Sequence, residues 1–310
     1  MNAPAVLGRV TRLGLGCAPI GNLFNAVSDA DADATVTAAW DAGIRLFDTA
    51  PLYGHGLSEM RLGSALRSRP RDEYVLATKV GRLLREPSGG VLSTIFVDAP
   101  ALEAVHAYSG DDTRRSIEES LERLGLDRLD IVHVHDPDHH EDEAIRGAFP
   151  ALIKLRDEGV IGAVGCGMNQ WQMLFRLVER VDLDCVLLAG RYTLLDRSGA
   201  EQLLPRCLDR GVGVIVGGVF NSGLLVDPDI SPTYDYAAAP QELVARARAM
   251  REACRRHGVG LPAAALQFAL RHRAVTSVVV GARSREEVEA DTADAQVAIP
   301  EALWDELGEL

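Results

Sequence analysis

Residues 44–62 read IRLFDTAPLYGHGLSEMRL and contain a strand, a loop and the start of a helix. In a segment of period two, Ile44, Leu46 and Asp48 share one face and Arg45 and Phe47 the other, which predicts a strand whose inward face ends at Asp48. Proline and glycine residues then indicate a loop, and Ser58 is expected to cap the helix that follows. Tyr53 lies on this loop, five residues after Asp48. An acid at a strand tip with a tyrosine just beyond it is the position expected for catalytic groups in a barrel of strand–helix units.

The rest of the chain repeats this order of strand and helix. Further strands are predicted at 13–18, 74–80, 129–135, 160–166, 185–188, 212–216 and 275–280. Eight strands alternating with helices predict an α/β fold, a (β/α)8 TIM barrel, with residues 1–310 as a single domain and long loops at the C-terminal face. The longest irregular segment, 81–110, is expected to be a substrate-binding loop or a surface insertion. Asp111 or Asp112 is expected to cap the next helix.

Composition restricts the function classes. The chain of 310 residues is 47% hydrophobic and carries a formal net charge of −13, which disfavours nucleic acids and anionic membranes as partners. No stretch has the apolar length of a membrane span, and the N-terminus lacks a signal-peptide pattern. Five scattered cysteines without CxxC spacing fit reduced thiols, so we expect a cytoplasmic protein with a small-molecule substrate. The oligomeric state is not predicted.

Three ionisable residues end the inward faces of consecutive strands. Asp48, Lys79 and His135 occupy the tips of the second, third and fourth strands, and neighbouring strands lie about 5 Å apart, so the side chains can converge with Tyr53. A buried carboxylate and a buried ammonium are expected to pair, with the ammonium directed at the phenol. The nearby cation is expected to favour the phenolate and so to make Tyr53 a usable acid and base. His135 would position the reacting oxygen.

His133 precedes His135 by two residues, and this HxH spacing also occurs in metal sites. Further potential ligands follow at once: Asp136, Asp138, His139, His140 and Glu141. A metal-dependent hydrolase on the same barrel is therefore one alternative. The later residues lie in a predicted polar turn and can simply be solvated, so we expect no metal and expect His133 to be hydrogen-bonded within the core.

The pattern FDTAPLYGHGLSEMRLG at 47–63 resembles the signature of the aldo-keto reductases, and the resemblance covers nearly the whole chain. Within this family, the chain most resembles the aldose 1-dehydrogenases, including L-fucose and L-galactose dehydrogenases, and the pyridoxal 4-dehydrogenases. The stretches that carry it are GLGCAPIGNLF (14–24), TKVGRLL (78–84), GMNQW (167–171) and GGVFNSGLL (217–225). The resemblance implies a catalytic tetrad of Asp48, Tyr53, Lys79 and His135.

The sequence has no GxGxxG after a strand, so a Rossmann domain is not indicated. The resemblance instead implies NAD or NADP extended across the barrel mouth. Implied cofactor contacts are Phe220 on the nicotinamide ring, Asn221, Ser222, Gly223 and Leu224 at the pyrophosphate, Asn169 at the carboxamide, and Gly16, Cys17, Gly281 and Arg283 elsewhere. Gly281 and Glu287 stand where NADP-specific members often have Lys and Arg, which favours NAD, although Arg283 and Arg285 could compensate.

The resemblance implies oxidation of a sugar hemiacetal, an aldose such as L-fucose, L-galactose or D-arabinose, at C1 to the lactone, with Tyr53 as general acid and base. Pyridoxal 4-dehydrogenase and general aldehyde or ketone reductase activities are alternatives. A dinucleotide-binding subunit without turnover is a further alternative from a different class. Aromatic residues make up 5% of the chain, which suggests few platforms for flat substrates and favours a hydroxyl-rich ligand.

Overall fold

The structure is a computed structural model that describes residues 3–87, 89 and 95–310. Its strands are β1 Leu13–Gly16, β2 Leu46–Asp48, β3 Val75–Arg85, β4 Glu103–Ala107, β5 Leu129–His135, β6 Ile161–Met168, β7 Cys185–Ala189, β8 Gly213–Gly217, β9 Thr233–Tyr234, β10 Ala237–Ala238 and β11 Val275–Gly281. Eight of these described strands pair in parallel in the order β2-β1-β11-β8-β7-β6-β5-β3, and β2 pairs with β3 to close the ring. The predicted (β/α)8 barrel is thereby confirmed.

Helices surround the barrel. They are α1 Ala3–Leu7, α2 Asp29–Asp41, α3 Leu57–Leu66, α4 Gly110–Leu124, α5 Glu141–Glu143, α6 Phe149–Asp157, α7 Trp171–Arg180, α8 Leu203–Arg210, α9 Gln241–Arg256, α10 Leu261–Leu270, α11 Arg285–Asp294 and α12 Glu301–Glu309, with a π-helical turn at Ala144–Ala148 before α6. None of the helices in the described part of the chain is long and apolar enough to cross a membrane.

Two predicted helix caps were wrong. Gly56, with φ of +91°, is the N-cap of α3, because the side chain of Ser58 is buried and donates to the carbonyl of Cys17. Ser109 caps α4 by accepting from the backbone N–H of Asp112 at 3.1 Å, so the helix begins before the two aspartates proposed as caps. The causes differ: at α3 the Ser58 hydroxyl is used in a tertiary hydrogen bond, whereas at α4 serine and aspartate compete for the same backbone donors.

The hydrophobic core has an inner and an outer layer. Side chains such as Leu46, Ile131 and Ile215 fill the barrel, and Val6 of α1 closes its N-terminal end. The outer layer lies between the barrel and the helices. All residues of β5 are buried because a strand of a parallel barrel is covered on both faces. Each fully buried leucine or isoleucine contributes roughly 1.5–3 kcal/mol relative to an exposed one.

The segment 81–110 is not irregular throughout, in contrast to the prediction. β3 continues beyond the barrel rim to Arg85 and pairs antiparallel with β4, from Gly81↔Ala107 to Arg85↔Glu103. The extension bends at Gly81, whose φ is +102° and where an added Cβ would lie 2.4 Å from the Tyr108 ring. Within the expected loop, residues 88 and 90–94 lie outside the described residues. The hairpin therefore stands at the C-terminal face, beside the strand tips.

Candidate active site

A buried ion pair lies at the centre of the barrel mouth. Lys79 Nζ donates to Asp48 Oδ2 at 2.7 Å and to the carbonyl of Thr49 at 2.9 Å. Lys79 is 1% exposed and Asp48 is 4% exposed. Burial by itself would lower the pKa of Lys79, but Asp48 and Tyr53 together outweigh it and hold the pKa above its ordinary value. Burial also raises the pKa of Asp48, against the opposing charge of Lys79. Lys79 is thus a permanent ammonium, as the sequence suggested.

Tyr53 lies against this ammonium. Lys79 Nζ is 4.6 Å from the centroid of the Tyr53 ring, close enough for a cation–π contact. Burial raises the pKa of Tyr53, and this effect exceeds the lowering by Lys79, so the net pKa lies above the ordinary value of a phenol. Lys79 favours the phenolate, as the sequence predicted, but its effect on the pKa is smaller than that of burial. Desolvation of the phenolate, which sequence does not reveal, is the reason.

His135 completes the group from the tip of β5. Its ring centroid is 5.9 Å from that of Tyr53, and the two rings are nearly perpendicular at 88°. Burial, and next the positive charge of Lys79, lower the pKa of His135 well below its usual range, so the imidazole is neutral. Its Nδ1 atom has no hydrogen-bond partner among the described residues. The structure thus brings all four residues of the expected tetrad together at one rim.

His133 lies one layer deeper and is fully buried. Neither ring nitrogen has a hydrogen-bond partner in the described part of the chain, so the expected core hydrogen bond is absent there. The ring packs against Gly165, whose backbone pairs with β5 in the sheet. A side chain at Gly165 would overlap the ring, because an added Cβ would lie 2.3 Å from His133 Nδ1. Burial lowers the pKa of His133 to about 3, so the ring remains neutral.

Aromatic rings gather around Tyr53, which the composition did not indicate. Phe96 lies 6.4 Å from Tyr53 and 6.1 Å from His55 between ring centroids. Tyr236, from the turn between β9 and β10, lies 5.7 Å from Phe24. A charge on Tyr236 would raise the pKa of Tyr53, which places the two phenols near each other. Low aromatic content overall is therefore compatible with an aromatic wall at this site.

On its other side the tetrad borders a polar cavity of ≈ 560 Å³. Its lining residues all carry polar side chains: Arg82, His106, Asp136, Asp138, His139, Asn169 and Gln170. Asp136 joins the cavity to the tetrad, because its Oδ2 is 3.5 Å from His135 Nε2. The two carboxylates accept hydrogen bonds, and the guanidinium and amides donate them. This combination suits a ligand with several hydroxyl groups.

Two asparagine amides converge beside the mouth, at the ends of β6 and β8. An added Cβ at Gly190 would lie 3.8 Å from Asn221 Nδ2 and 4.0 Å from Asn169 Nδ2. Asn221 is 3% exposed, and its Oδ1 atom lacks a hydrogen-bond partner among the described residues. A primary amide offers both a donor and an acceptor, so the carboxamide of a nicotinamide fits this unpaired oxygen.

The expected pyrophosphate segment has an unusual backbone. Asn221, Ser222 and Gly223 have φ of +46°, +59° and +98° in succession. The Ser222 hydroxyl accepts from the backbone N–H of Tyr236 at 3.1 Å and keeps its own hydrogen for a ligand. Leu224 is fully buried in the outer core, so its side chain does not line the mouth. The segment therefore offers Ser222 and backbone groups, and not the Leu224 side chain, to a cofactor.

Four other cofactor contacts are implied by the resemblance: Phe220, Cys17, Gly16 and Gly281. Phe220 is partly buried and packs against two hydrophobic clusters outside the barrel. The thiol of Cys17 is fully buried and directed to the carbonyl of Leu15 at 3.7 Å. Gly16 and Gly281 are register partners at the ends of β1 and β11. Because neither has a side chain, no side chain projects from the barrel rim at these two positions.

Arg283, which the resemblance assigns to the cofactor, is already paired with a carboxylate. Its Nε donates to Glu287 Oε1 at 2.9 Å, and its backbone N–H donates to the other oxygen of the same carboxylate. Arg285 forms a looser ion pair with Glu289, in which Nη1 and Oε1 are 3.7 Å apart. Both guanidinium charges are therefore matched by carboxylates on α11.

The histidines and acids that suggested a metal site do not form one. No group of three or more His, Cys, Asp or Glu side chains in the described residues is arranged to hold a metal ion. His106 and His140 instead stack on each other with ring centroids 4.6 Å apart, and His140 also stacks on Tyr108. His139 lines the polar cavity. The cluster thus forms part of the wall beside the site.

A closed parallel barrel with a buried acid–ammonium pair, a phenol and a neutral imidazole at its mouth defines an enzyme that moves protons at a substrate oxygen. The model of the Aldo/keto reductase family matches residues 12–310, so the chain belongs to this family and is an oxidoreductase. Members of the family use a nicotinamide dinucleotide. The branch suggested by the sequence is confirmed by the relatives below.

The chain is 46% identical to a D-threo-aldose 1-dehydrogenase from Pseudomonas sp, over 97% of this chain and 94% of the relative. It is 42% identical to a pyridoxal 4-dehydrogenase from Microbacterium luteolum, over 95% and 92%. Among solved structures, the holo form of an aldo-keto reductase from Bacillus halodurans superposes with a TM-score of 0.77 at 26% identity, covering 97% of this chain and 92% of that one.

Proposed function

We propose that this chain is an aldose 1-dehydrogenase that oxidises the cyclic hemiacetal of a sugar at C1 to the lactone, with NAD as the preferred cofactor. The observation that carries the proposal is the convergence of Tyr53 and neutral His135 on one point beside the Lys79–Asp48 pair. The polar cavity next to this point and the similarity to an aldose dehydrogenase support the substrate class.

Each residue of the tetrad has a distinct task. Tyr53 takes the proton from the anomeric hydroxyl during oxidation and returns it during reduction. Lys79 stabilises the phenolate while that proton is absent, and Asp48 compensates the charge of Lys79. Neutral His135 donates a hydrogen bond that orients the reacting oxygen. The nicotinamide ring, when bound, supplies the acceptor or donor of hydride.

The cofactor would be held by the chain's own amides and glycines. In this proposal Asn169 and Asn221 bind the carboxamide and Ser222 binds a phosphate oxygen; the proximity of the two amides and the free hydroxyl hydrogen of Ser222 support these roles. At the adenosine end, Glu287 already neutralises Arg283, so little cationic charge is left for a 2′-phosphate. This pairing supports NAD over NADP.

Pyridoxal oxidation is a second candidate, and the aromatic wall favours it. Phe96, Phe24 and Tyr236 offer ring faces near Tyr53 on which a pyridine ring could stack. The 42% identity to a pyridoxal 4-dehydrogenase points the same way. We also propose a cytoplasmic location, since the five cysteines are buried and unpaired.

Initial rates with L-fucose, L-galactose, D-arabinose and pyridoxal, each with NAD and with NADP, test these proposals. Oxidation of a sugar with NAD is the expected result. Reduction of simple aldehydes without oxidation of any of the four would refute the aldose proposal.

Tyr53→Phe tests the mechanism in the same assay. It should lower kcat by about 100- to 10,000-fold, the usual range for general acid–base catalysis, and leave cofactor binding unchanged. Tyr74→Phe is the matched control, because Tyr74 precedes β3 at the opposite end of the barrel and packs against Trp40 and Phe47. Retained turnover in Tyr53→Phe would contradict the assignment.

A further inference from the structure

Asp136 follows His135 directly and has a backbone conformation that aspartate seldom adopts. Its φ is +40°, in the left-handed region, which costs of order 1–3 kcal/mol for a residue with a side chain. The conformation is enforced from two sides. The backbone N–H of Asp136 donates to the carbonyl of Gly167 at 3.0 Å, and its carbonyl accepts from the Tyr108 hydroxyl at 2.9 Å.

Tyr108 is itself held rigidly. It is 1% exposed, its hydroxyl is also 2.8 Å from the carbonyl of His135, and Arg82 Nη1 donates to it at 2.6 Å. Gly81 leaves room for its ring, since a Cβ there would overlap it at 2.4 Å. The tip of β5 is thus locked in one shape, and that shape directs the Asp136 carboxylate into the polar cavity.

The carboxylate is available to a ligand. Its side chain is 34% exposed, and the carboxylate makes no hydrogen bond to the described residues; His135 Nε2 lies 3.5 Å from Oδ2, longer than a hydrogen bond. Because His135 is neutral, this contact is not an ion pair. Burial raises the pKa of Asp136 to about 6 and the nearby Arg82 opposes this rise, so the group is mainly a carboxylate at pH 7 and above. The Arg82 donors themselves go to Tyr108 and to backbone carbonyls.

The position of the carboxylate defines which ligand atom it can reach. A substrate oxygen held by His135 Nε2 lies within about 3 Å of that nitrogen, and Asp136 Oδ2 is 3.5 Å from the same nitrogen. The hydroxyl on the neighbouring carbon of a sugar lies next to the reacting oxygen and so falls within reach of Asp136. A hydroxyl hydrogen and a carboxylate oxygen are complementary.

We propose that Asp136 is a specificity-determining residue, which accepts a hydrogen bond from the hydroxyl on the carbon adjacent to the reacting carbon. The substrate class is then the 2-hydroxy hemiacetals and 2-hydroxy aldehydes. The inference rests on the proposed function for its sugar substrates, but the same contact forms with a small aldehyde in the direction of reduction.

The experiment compares matched substrates that differ by this hydroxyl alone. For oxidation the pair is D-arabinose and 2-deoxy-D-ribose, its 2-deoxy counterpart, or L-fucose and 2-deoxy-L-fucose. For reduction the pair is glycolaldehyde and acetaldehyde. The quantity measured is the ratio of kcat/KM values within a pair, for the unmodified protein, Asp136→Gly and Asp136→Asn.

Asp136→Gly removes the carboxylate and accepts the positive φ without strain. It should lower the preference for the hydroxylated substrate by about 10- to 100-fold, the worth of a hydrogen bond to a charged group, while kcat/KM for the deoxy substrate changes little. Asp136→Asn keeps the backbone preference and one acceptor, so an intermediate loss is expected. Cofactor binding and circular dichroism verify that both variants fold.

Asp142→Asn is the control for loss of one negative charge, because Asp142 is a solvent-exposed residue of α5 and does not line the cavity. Its substrate ratio should equal that of the unmodified protein. If a sugar is oxidised but the Asp136 variants keep the original ratio, or lose both substrates equally, the Asp136 inference is overturned and the proposed function stands. If no sugar is oxidised, the proposed function fails, and the glycolaldehyde ratio alone decides the role of Asp136.

Discussion

Replacing Lys79 with methionine removes the ammonium and keeps an unbranched side chain of similar length. The Nζ–Oδ2 distance of 2.7 Å corresponds to an attraction of about 6 kcal/mol at an effective dielectric constant of 20. Asp48 is 4% exposed and would be left without its partner. Loss of one member of a buried pair typically costs roughly 3–5 kcal/mol, less than the attraction because the remaining carboxyl group can become protonated.

The corresponding change in melting temperature follows from the size of the chain. Unfolding entropy is about 2.1 cal/mol/K per residue, so 310 residues give about 650 cal/mol/K and a loss of about 5–8 °C in Tm. Scanning calorimetry of Lys79→Met and of the double variant Asp48→Asn, Lys79→Met measures it. Replacing a whole buried pair is often nearly neutral, so the double variant should regain most of the lost stability and remain inactive.

The reasoning fails if Lys79→Met melts at the temperature of the unmodified protein, or if the double variant is less stable than Lys79→Met. Either result would mean that the pair contributes little net electrostatic free energy. Substantial turnover in the double variant would separately show that the charge of Lys79 is not needed for proton transfer by Tyr53.

Because the pKa of Tyr53 is raised, the phenol is protonated at neutral pH. The kcat/KM for oxidation should therefore rise about tenfold per pH unit from pH 6 to 9, while that for reduction stays nearly constant. A pH-independent oxidation rate would contradict this. Glu287→Gln frees Arg283 and should shift the NADP/NAD ratio of kcat/KM by about 3- to 10-fold towards NADP. The control Glu289→Gln, two residues further along α11, should change this ratio less. Incubation with EDTA followed by gel filtration should leave turnover unchanged, since the described residues contain no arrangement for a metal; loss of activity that zinc restores would refute it.

The barrel and the convergence of the tetrad could be predicted because both depend on short-range patterns. The alternation that ends at Asp48 and the positions of Lys79 and His135 at neighbouring strand tips are readable over a few residues. Parallel strands of a closed barrel bring such tips to one rim, whatever the loops do. The structure accordingly places Lys79 2.7 Å from Asp48.

The extension of β3 could not be read in the same way. Its partner, β4, begins 18 residues after the end of β3, so the pairing is non-local, and the glycine and proline residues between them resemble an irregular loop. The aromatic wall is non-local as well. Phe96 and Tyr236 are 140 residues apart, and composition gives no indication that both reach the mouth.

The proton states of the site were the most difficult to predict, because each is a balance between desolvation and charge. Lys79 was expected to decide the state of Tyr53, but burial outweighs it. The same burial, together with the charge of Lys79, keeps His133 and His135 neutral. A neutral imidazole can donate a hydrogen bond to the reacting oxygen but is a poor proton source, and Lys79 is held as an ammonium by Asp48. Within the tetrad, the proton exchanged with substrate is therefore that of Tyr53, and removing its hydroxyl should cost more activity than altering either histidine.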